Sequence, residues 1–387
     1  MRYIWQHILA ITDTYDGSLP LAHFLKNYFR RHPKLGSRDR KILSDMSYSF
    51  YRCNKAIPVD VHDFEERIKT ALLLCSQPSK HIAPFLSGFP EEVQAGNQHG
   101  KIVYLHRQDV MIDVAALYPG TPELSPGITA EAWLSSMLQQ PRFFIRIRKE
   151  KEKLLLLLTQ HGIGYTMATD TCISLPAATS IDQLLPDDWY VVQDASSQET
   201  GRYFNTKPGE QWWDCCSGAG GKSLLLKDKE PRVALTVSDV RESILHNLKQ
   251  RFKLYGYPAP ASLVLDAAQN SQLYAQLGSK QFDHILCDVP CTGSGTWART
   301  PEQLYFFDPE RIAEYADRQR RISINAIQYL KPGGYLYYIT CSVFTAENEL
   351  VVKALLETEQ MELEQQQLIN GIEMHADCMF IAVLRKK

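Results

Sequence analysis

The second half of this chain predicts an α/β fold with a mostly parallel sheet, and three observations carry that reading. Short apolar runs recur after residue 190, at 212–215, 233–237, 262–265, 284–287 and 335–339. Helical stretches fall between them at about 241–255, 309–330 and 346–357. Four aspartates, Asp214, Asp239, Asp266 and Asp288, stand at the ends of four successive runs. Alternating strands and helices are the sequence form of a doubly wound sheet, and such sheets bind ligands beyond the carboxyl ends of their strands.

The elements follow in order. Residues 1 to about 55 read as helices, because Leu21, Phe24, Leu25, Tyr28 and Phe29 repeat at helical spacing, as do Ile42, Leu43, Met46 and Phe50. The stretch 35–39 breaks that pattern, with Ser37 expected as the next N-cap. Residues 55–125 yield one apolar helix around 68–74 and then turn-rich sequence. A small α+β unit follows at 126–190: a helix at 130–138, a strand at 143–147, a helix at 151–161 closed by Gly162, and a strand at 190–194. The sheet of the last region, 191–387, ends on a strand at 379–384. The expected division is therefore 1–125, mainly helical, then 126–190, then 191–387.

Length and composition bound the function. At 387 residues the chain exceeds one typical domain. No run approaches the roughly 20 apolar residues of a membrane span. The start lacks a signal peptide's apolar core and cleavage site. Nine scattered cysteines, an odd number, fit reduced thiols in a cytoplasm better than a disulfide framework. A net charge of −2 does not advertise nucleic-acid binding, but two local runs do. Lys26, Arg30, Arg31, Lys34, Arg38, Arg40 and Lys41 face one acid, Asp39, with Phe24, Tyr28 and Phe29 interleaved. Arg142, Arg146, Arg148, Lys149, Lys151 and Lys153 are offset by Glu150 and Glu152. Each run reads equally well as a phosphate-contacting surface or as a solvated face.

A ligand loop stands out at Trp213-Asp214-Cys215-Cys216-Ser217-Gly218-Ala219-Gly220-Gly221-Lys222-Ser223, a strand entering a Gly-rich turn and then a helix. Glycines let backbone approach a ligand, and a helix N-terminus favours negative charge. The spacing is not that of a P-loop, which puts four residues between its first glycine and Gly-Lys-Ser. Asp239, about 20 residues further on, sits where an acid holds ribose hydroxyls. One such aspartate is as readily a helix cap. Four in series at one sheet edge are not explained by capping. With no acid after Gly221 to serve a magnesium–phosphate site, S-adenosylmethionine suits the loop better than a nucleoside triphosphate.

Two cysteines stand in short motifs at strand ends: Cys291 in Asp288-Val289-Pro290-Cys291-Thr292-Gly293-Ser294-Gly295, and Cys341 in Tyr338-Ile339-Thr340-Cys341-Ser342. Either alone is more often a small buried apolar residue. As a pair beside an aspartate they point to thiol nucleophilic catalysis. Cys287 and Cys291 have no second Cys/His pair with zinc spacing, so no metal is expected.

These motifs resemble the RsmB-type (Sun/Fmu) family of RNA cytosine-C5 methyltransferases. The match includes the Asp214–Lys222 loop, the Asp288 to Thr296 block, and Leu330-Lys331-Pro332-Gly333-Gly334 through Thr340-Cys341-Ser342 to Glu347-Asn348-Glu349. They come in the family order, and the resemblance covers about 190–387. It implies a class I methyltransferase, Rossmann-like sheet with S-adenosylmethionine held by Cys216, Ser217, Gly218, Ala219, Gly220, Gly221, Lys222, Asp239, Asp266 and Asp288. It implies Cys341 as nucleophile and Cys291 as the cysteine that assists product release, with Asp288 at the base and Lys222 as the nearby cation. The Thr-Cys-Ser block points to RNA rather than DNA, with ribosomal RNA expected. Transfer RNA, or a catalytically silent RNA-binding assembly factor, are the alternatives. A monomer is the expected state. The chain departs from the family where Ser217-Gly218-Ala219 replaces a usual Ala-Ala-Pro, where Ile244 replaces an arginine, and where Arg146-Ile147-Arg148 replaces Arg-x-Asn. Before residue 190, only about 20–55 looks like the family's NusB-type RNA-binding domain.

Overall fold

Apolar runs separated by amphipathic helices have one economical solution, a sheet buried on both faces. The computed structural model describes residues 2–58, 61, 63–76, 79–177 and 179–387. In chain order the helices are α1 (Arg2–Thr14), α2 (Leu21–Arg31), α3 (Ser37–Cys53), α4 (Phe64–Cys75), α5 (Glu91–Gln94), α6 (Gln98–Arg107), α7 (Ala130–Met137), α8 (Lys151–Gln160), α9 (Ala195–Glu199), α10 (Gly221–Lys229), α11 (Glu242–Leu254), α12 (Asn270–Leu277), α13 (Pro301–Tyr305), α14 (Arg311–Ile327) and α15 (Glu349–Leu356). The strands are β1 (Phe143–Ile147), β2 (Thr166–Met167), β3 (Cys172–Leu175), β4 (Tyr190–Val192), β5 (Gln211–Asp214), β6 (Ala234–Asp239), β7 (Ala261–Val264), β8 (Phe282–Asp288), β9 (Leu330–Thr340), β10 (Met361–Ile369) and β11 (Met379–Lys386). Among the described residues no helix is long and apolar enough to cross a membrane.

The chain forms two compact units. The first comprises Met1–Pro122, Thr129–Gln140 and Thr296–Pro309. Its polar centre is Arg52, whose Nη1 donates to the carbonyls of Met137 (2.8 Å), Gln139 (3.1 Å) and Ala298 (2.7 Å). Trp297 is buried against Trp133, and Glu302 accepts the Leu21 amide. The segment just after the Cys291 motif is therefore part of the helical unit, held by Arg52, Trp133 and the Glu302–Leu21 bond among others. The α3 cap is Gly36 rather than Ser37, because Asp39 reaches back to accept the Gly36 amide (3.2 Å) and starts the helix one residue early.

The second unit holds both sheets. The large one has strand order β10-β11-β9-β8-β5-β6-β7, parallel from β9 to β7 and antiparallel at β11 and β10. One face packs Trp213, Ile285, Leu336 and Phe380 under α14 and α15, and the other packs Trp212, Val237, Leu286 and Ile339 against α10 and α11. This is the expected doubly wound core. The small antiparallel sheet, β2-β3-β1-β4, has its own apolar cluster of Ile145, Ile147, Leu154, Leu158 and Ile173.

Within this unit, Arg146 of β1 and Arg148, just beyond it, converge on Asp228 of α10. Arg148 is bidentate at 3.0 and 2.7 Å, Arg146 pairs with the other oxygen, and the Arg148 guanidinium lies 4.6 Å from the Tyr255 ring centroid. The pairing opposes the burial penalty and holds Asp228 below the ordinary carboxylate range. The run at 142–153 is thus not a uniform phosphate-binding surface, since its two most buried cations are used to dock the small sheet on the large one.

Candidate active site

The site starts where β5 ends. After Asp214 the chain turns through a loop in which Gly218 (φ 51°) and Gly220 (φ 80°) occupy the left-handed region. A Cβ at Gly220 would come within 2.8 Å of Leu248, whereas at Gly218 nothing lies within 4 Å, so the space beside it is open. The Gly218 amide donates to Asp239 Oδ2 (3.0 Å), fastening the loop to the end of β6, and Asp239 Oδ1 accepts the Arg241 amide (2.9 Å). Asp214 faces inward. It is buried, accepts from Ser223 Oγ (2.6 Å), and burial pushes it up to about 7.

A cavity of about 400 Å³ lies at the carboxyl ends of the strands, and its walls include Cys216, Gly218, Asp239, Asp266, Asp288, Cys291 and Cys341. Three of the four strand-end aspartates thus face one space, and Asp214 serves the loop instead. Asp266 lies two residues beyond β7 and accepts the Ala268 amide (3.0 Å). Ser217, Ala219, Gly220 and Gly221 shape the loop without lining the cavity: Ser217 bonds the Ser238 carbonyl, and the Ala219 carbonyl accepts Arg251 Nη1. Lys222 lies behind the wall, its Nζ 2.7 Å from Asp288 Oδ2. Arg318 and Ile322 of α14 also line the cavity, and no motif announced them because helix-face residues acquire a neighbour only on folding.

The adjacency of β8 and β9 brings the two thiols together. Asp288 sits opposite Ile339 in register, so the loops that follow leave the sheet at one height. Cys291 Sγ lies 3.2 Å from Cys341 Sγ. The hydrogen bond with Cys341 is the main reason the Cys291 thiol is pushed well above its usual range, with burial and the charges of Cys341 and Glu347 adding to it. Burial lowers Lys222, but Asp288, and then Cys341 and Asp214, outweigh it, so the ammonium is favoured.

Beneath both loops is a buried web that sequence reasoning left without a role, although Glu347 and Asn348 belong to the last matched motif. Glu347 accepts from Thr292 N (2.9 Å), Thr292 Oγ1 (2.6 Å), Gln319 Nε2 (2.9 Å) and Ser342 Oγ. Asn348 accepts from Thr340 Oγ1 (2.6 Å) and donates to the Ser342 carbonyl (2.9 Å). Among the described residues, no group of three or more His, Cys, Asp or Glu is placed to hold a metal ion.

Residues 202–384 match the family model described as 16S rRNA methyltransferase RsmB/F. A curated relative, ribosomal RNA small subunit methyltransferase B of Klebsiella pneumoniae subsp. pneumoniae, is 31% identical over 268 residues, covering 64% of this chain and 60% of that protein. The chain spans about half to three-fifths of the length of the first curated relatives it matches. Among solved structures, PH0851 superposes with a TM-score of 0.69 at 19% identity, covering 95% of each chain. NSun6 from Pyrococcus horikoshii, crystallised with SFG, gives 0.55 at 18% identity, covering 64% of this chain and 91% of that one. At such identities the structural likeness is one of fold.

Proposed function

Residues 202–384 belong to the RsmB/F methyltransferase family, and from that premise we propose that this chain transfers a methyl group from S-adenosylmethionine to C5 of a cytosine in ribosomal RNA. The observation that carries the reading is the pair of thiols 3.2 Å apart on the wall of an acid-lined cavity, with an Asp–Lys pair beside them.

The cavity suits the cofactor. Gly218 leaves room for close approach, and Asp239 Oδ2, engaged by one amide, keeps a lone pair for a ribose hydroxyl. Asp266 faces the same space as an acceptor for an adenine amine. Bound there, S-adenosylmethionine supplies an electrophilic methyl.

Cytosine C5 is a weak nucleophile toward such a methyl. Cys341, as thiolate, adds to C6, and the electron pair of the C5–C6 bond shifts to make C5 an enamine carbon. C5 takes the methyl. Cys291, at the same wall and as thiolate, takes the C5 proton, which restores the double bond and expels the Cys341 sulfur. Asp288 accepts from the N4 amine and holds the ring edge, while Lys222 fixes Asp288 and sets a positive charge near the attacking sulfur. The target base reaches this pocket unstacked.

The first unit supports an RNA partner. Lys26, Arg30, Arg31, Lys34, Arg38, Arg40 and Lys41 are all exposed. A groove of about 650 Å³ between α2 and α3 is lined by Lys26, Arg30 and Arg40 with Phe29 and Tyr48. Cations beside aromatic rings suit phosphates and unstacked bases.

The decisive experiment uses cytosine-containing RNA with Cys291→Ala and Cys341→Ala. Cys291→Ala accumulates a covalent RNA adduct that survives denaturing electrophoresis, and Cys341→Ala loses both adduct and product. An adduct that persists without Cys341 reverses the assignment. Mapping methylation on ribosomal and transfer RNA side by side identifies the substrate class.

A further inference from the structure

Each catalytic-loop cysteine is flanked by residues that Glu347 and Asn348, together with Gln319 of α14, hold in place. Pro290 and Thr292 flank Cys291, and Thr340 and Ser342 flank Cys341. Gln319 Nε2 donates to the Pro290 carbonyl (3.0 Å) and to Glu347 Oε1. Glu347 accepts from both Thr292 donors and from Ser342 Oγ, and Asn348 accepts from Thr340 Oγ1 and donates to the Ser342 carbonyl. Tyr338 of β9 donates to the Glu347 carbonyl and to Gln319 Oε1 (3.1 Å). All four flanking residues are thus fixed by Glu347, Asn348 and Gln319.

Glu347 is fully buried and does not line the cavity. A buried carboxyl is costly unless its lone pairs are filled, and here four donors fill them. Apolar packing would stabilise such a core as well as a polar web does. It would not fix two loops from different strands in direction and height. Directional bonds do, and a misplacement of about 1 Å can cost on the order of a hundredfold in rate.

We propose that Glu347 is the positioning residue that holds the Cys291 and Cys341 loops in one reacting geometry. Its catalytic consequence rests on the two-thiol reading above, but the geometry is testable without RNA. Diamide oxidises two adjacent thiols: two S–H bonds break, one S–S bond forms, and both hydrogens pass to the diazene. Its rate, followed for the Cys291–Cys341 pair by peptide mass mapping of the full-length protein, reports their approach.

Glu347→Ala and Glu347→Asp are expected to slow this oxidation and single-turnover methyl transfer together, each on the order of a hundredfold. S-adenosylmethionine affinity by calorimetry stays within about twofold, since Glu347 is absent from the cavity wall. Glu347→Gln retains the Oε1 acceptor for Thr292 N and Gln319 and restores most of both rates. A wild-type oxidation rate in Glu347→Asp overturns the proposal, as does equal loss in Asp and Gln. If Glu347→Ala does not fold, the Asp–Gln contrast decides. If the wild-type protein methylates no cytosine, the function fails while the oxidation result still judges the positioning.

Discussion

Two pairs of cysteines lie at the ends of three neighbouring strands, and they differ in exposure and in the charge beside them. Cys215 follows the end of β5 and Cys287 is the penultimate residue of β8, with sulfurs 3.5 Å apart and almost no exposure. Cys291 and Cys341 lie one loop further out, 3.2 Å apart, half-buried on the cavity wall. The inner pair sits among Trp213, Ile285 and Leu336, and its hydrogen bonds to Cys216 and Cys287, with burial, push Cys215 well above the usual thiol range. Both sulfurs of the outer pair line the cavity with an ammonium nearby, whereas of the inner pair Cys215 alone, almost fully buried, reaches that wall. A thiol becomes a reagent through access and charge, and contact between two sulfurs is not enough.

The largest effect breaks the outer pair. Cys341→Ala lowers single-turnover methylation by at least about a thousandfold. Cys215→Ala leaves that rate within about threefold, and equal losses from the two would erase the contrast.

A parallel contrast separates the basic runs. Replacing Lys26, Arg30 and Arg40 together by Gln weakens RNA binding roughly ten- to a hundredfold near physiological salt and flattens the plot of log affinity against log salt by about 0.9 per lost phosphate contact. Arg148→Ala, which leaves Asp228 to Arg146 and the Tyr257 hydroxyl, acts on stability instead, by about 1–3 kcal/mol, seen as an earlier urea midpoint.

The burial that silences Cys215 also governs its neighbour Asp214, raised from 3.8 to about 7. Its favourable contribution is complete below pH 4 and is lost as pH rises through 7. Between pH 4 and 8 the wild type is expected to lose up to about 4 kcal/mol relative to Asp214→Asn, measured by urea unfolding at each pH. The smallest effect sharpens the inner pair: Cys287→Ala leaves methylation unchanged and costs about 1–2 kcal/mol through lost packing.

The parallel strands were legible because each is an apolar run with a turn behind it. β10 was not: Met361–Ile369 is an edge strand, exposed over most of its length, and its polar residues write no apolar run. α12, with Tyr274 exposed, and α6, with two buried positions, were missed for the same reason. In the site, the Gly loop, the aspartates and the cysteines Cys291 and Cys341 showed themselves by motif. Ile322 and the role of Glu347 did not, since a lone residue on a helix or loop carries no spacing to read.

Local sequence by itself determined the strand ends, the turn chemistry at Gly218 and Gly220, and the residue types placed there, because backbone sterics and apolar periodicity act within a few residues. Only the tertiary structure decided which sulfur meets which. Strand order puts β8 between β5 and β9, so Cys287 meets Cys215 across 72 residues and Cys291 meets Cys341 across 50. It also decided that Asp214 faces the core while Asp239, Asp266 and Asp288 face the cavity, because burial and partners are properties of the packed sheet and not of the chain.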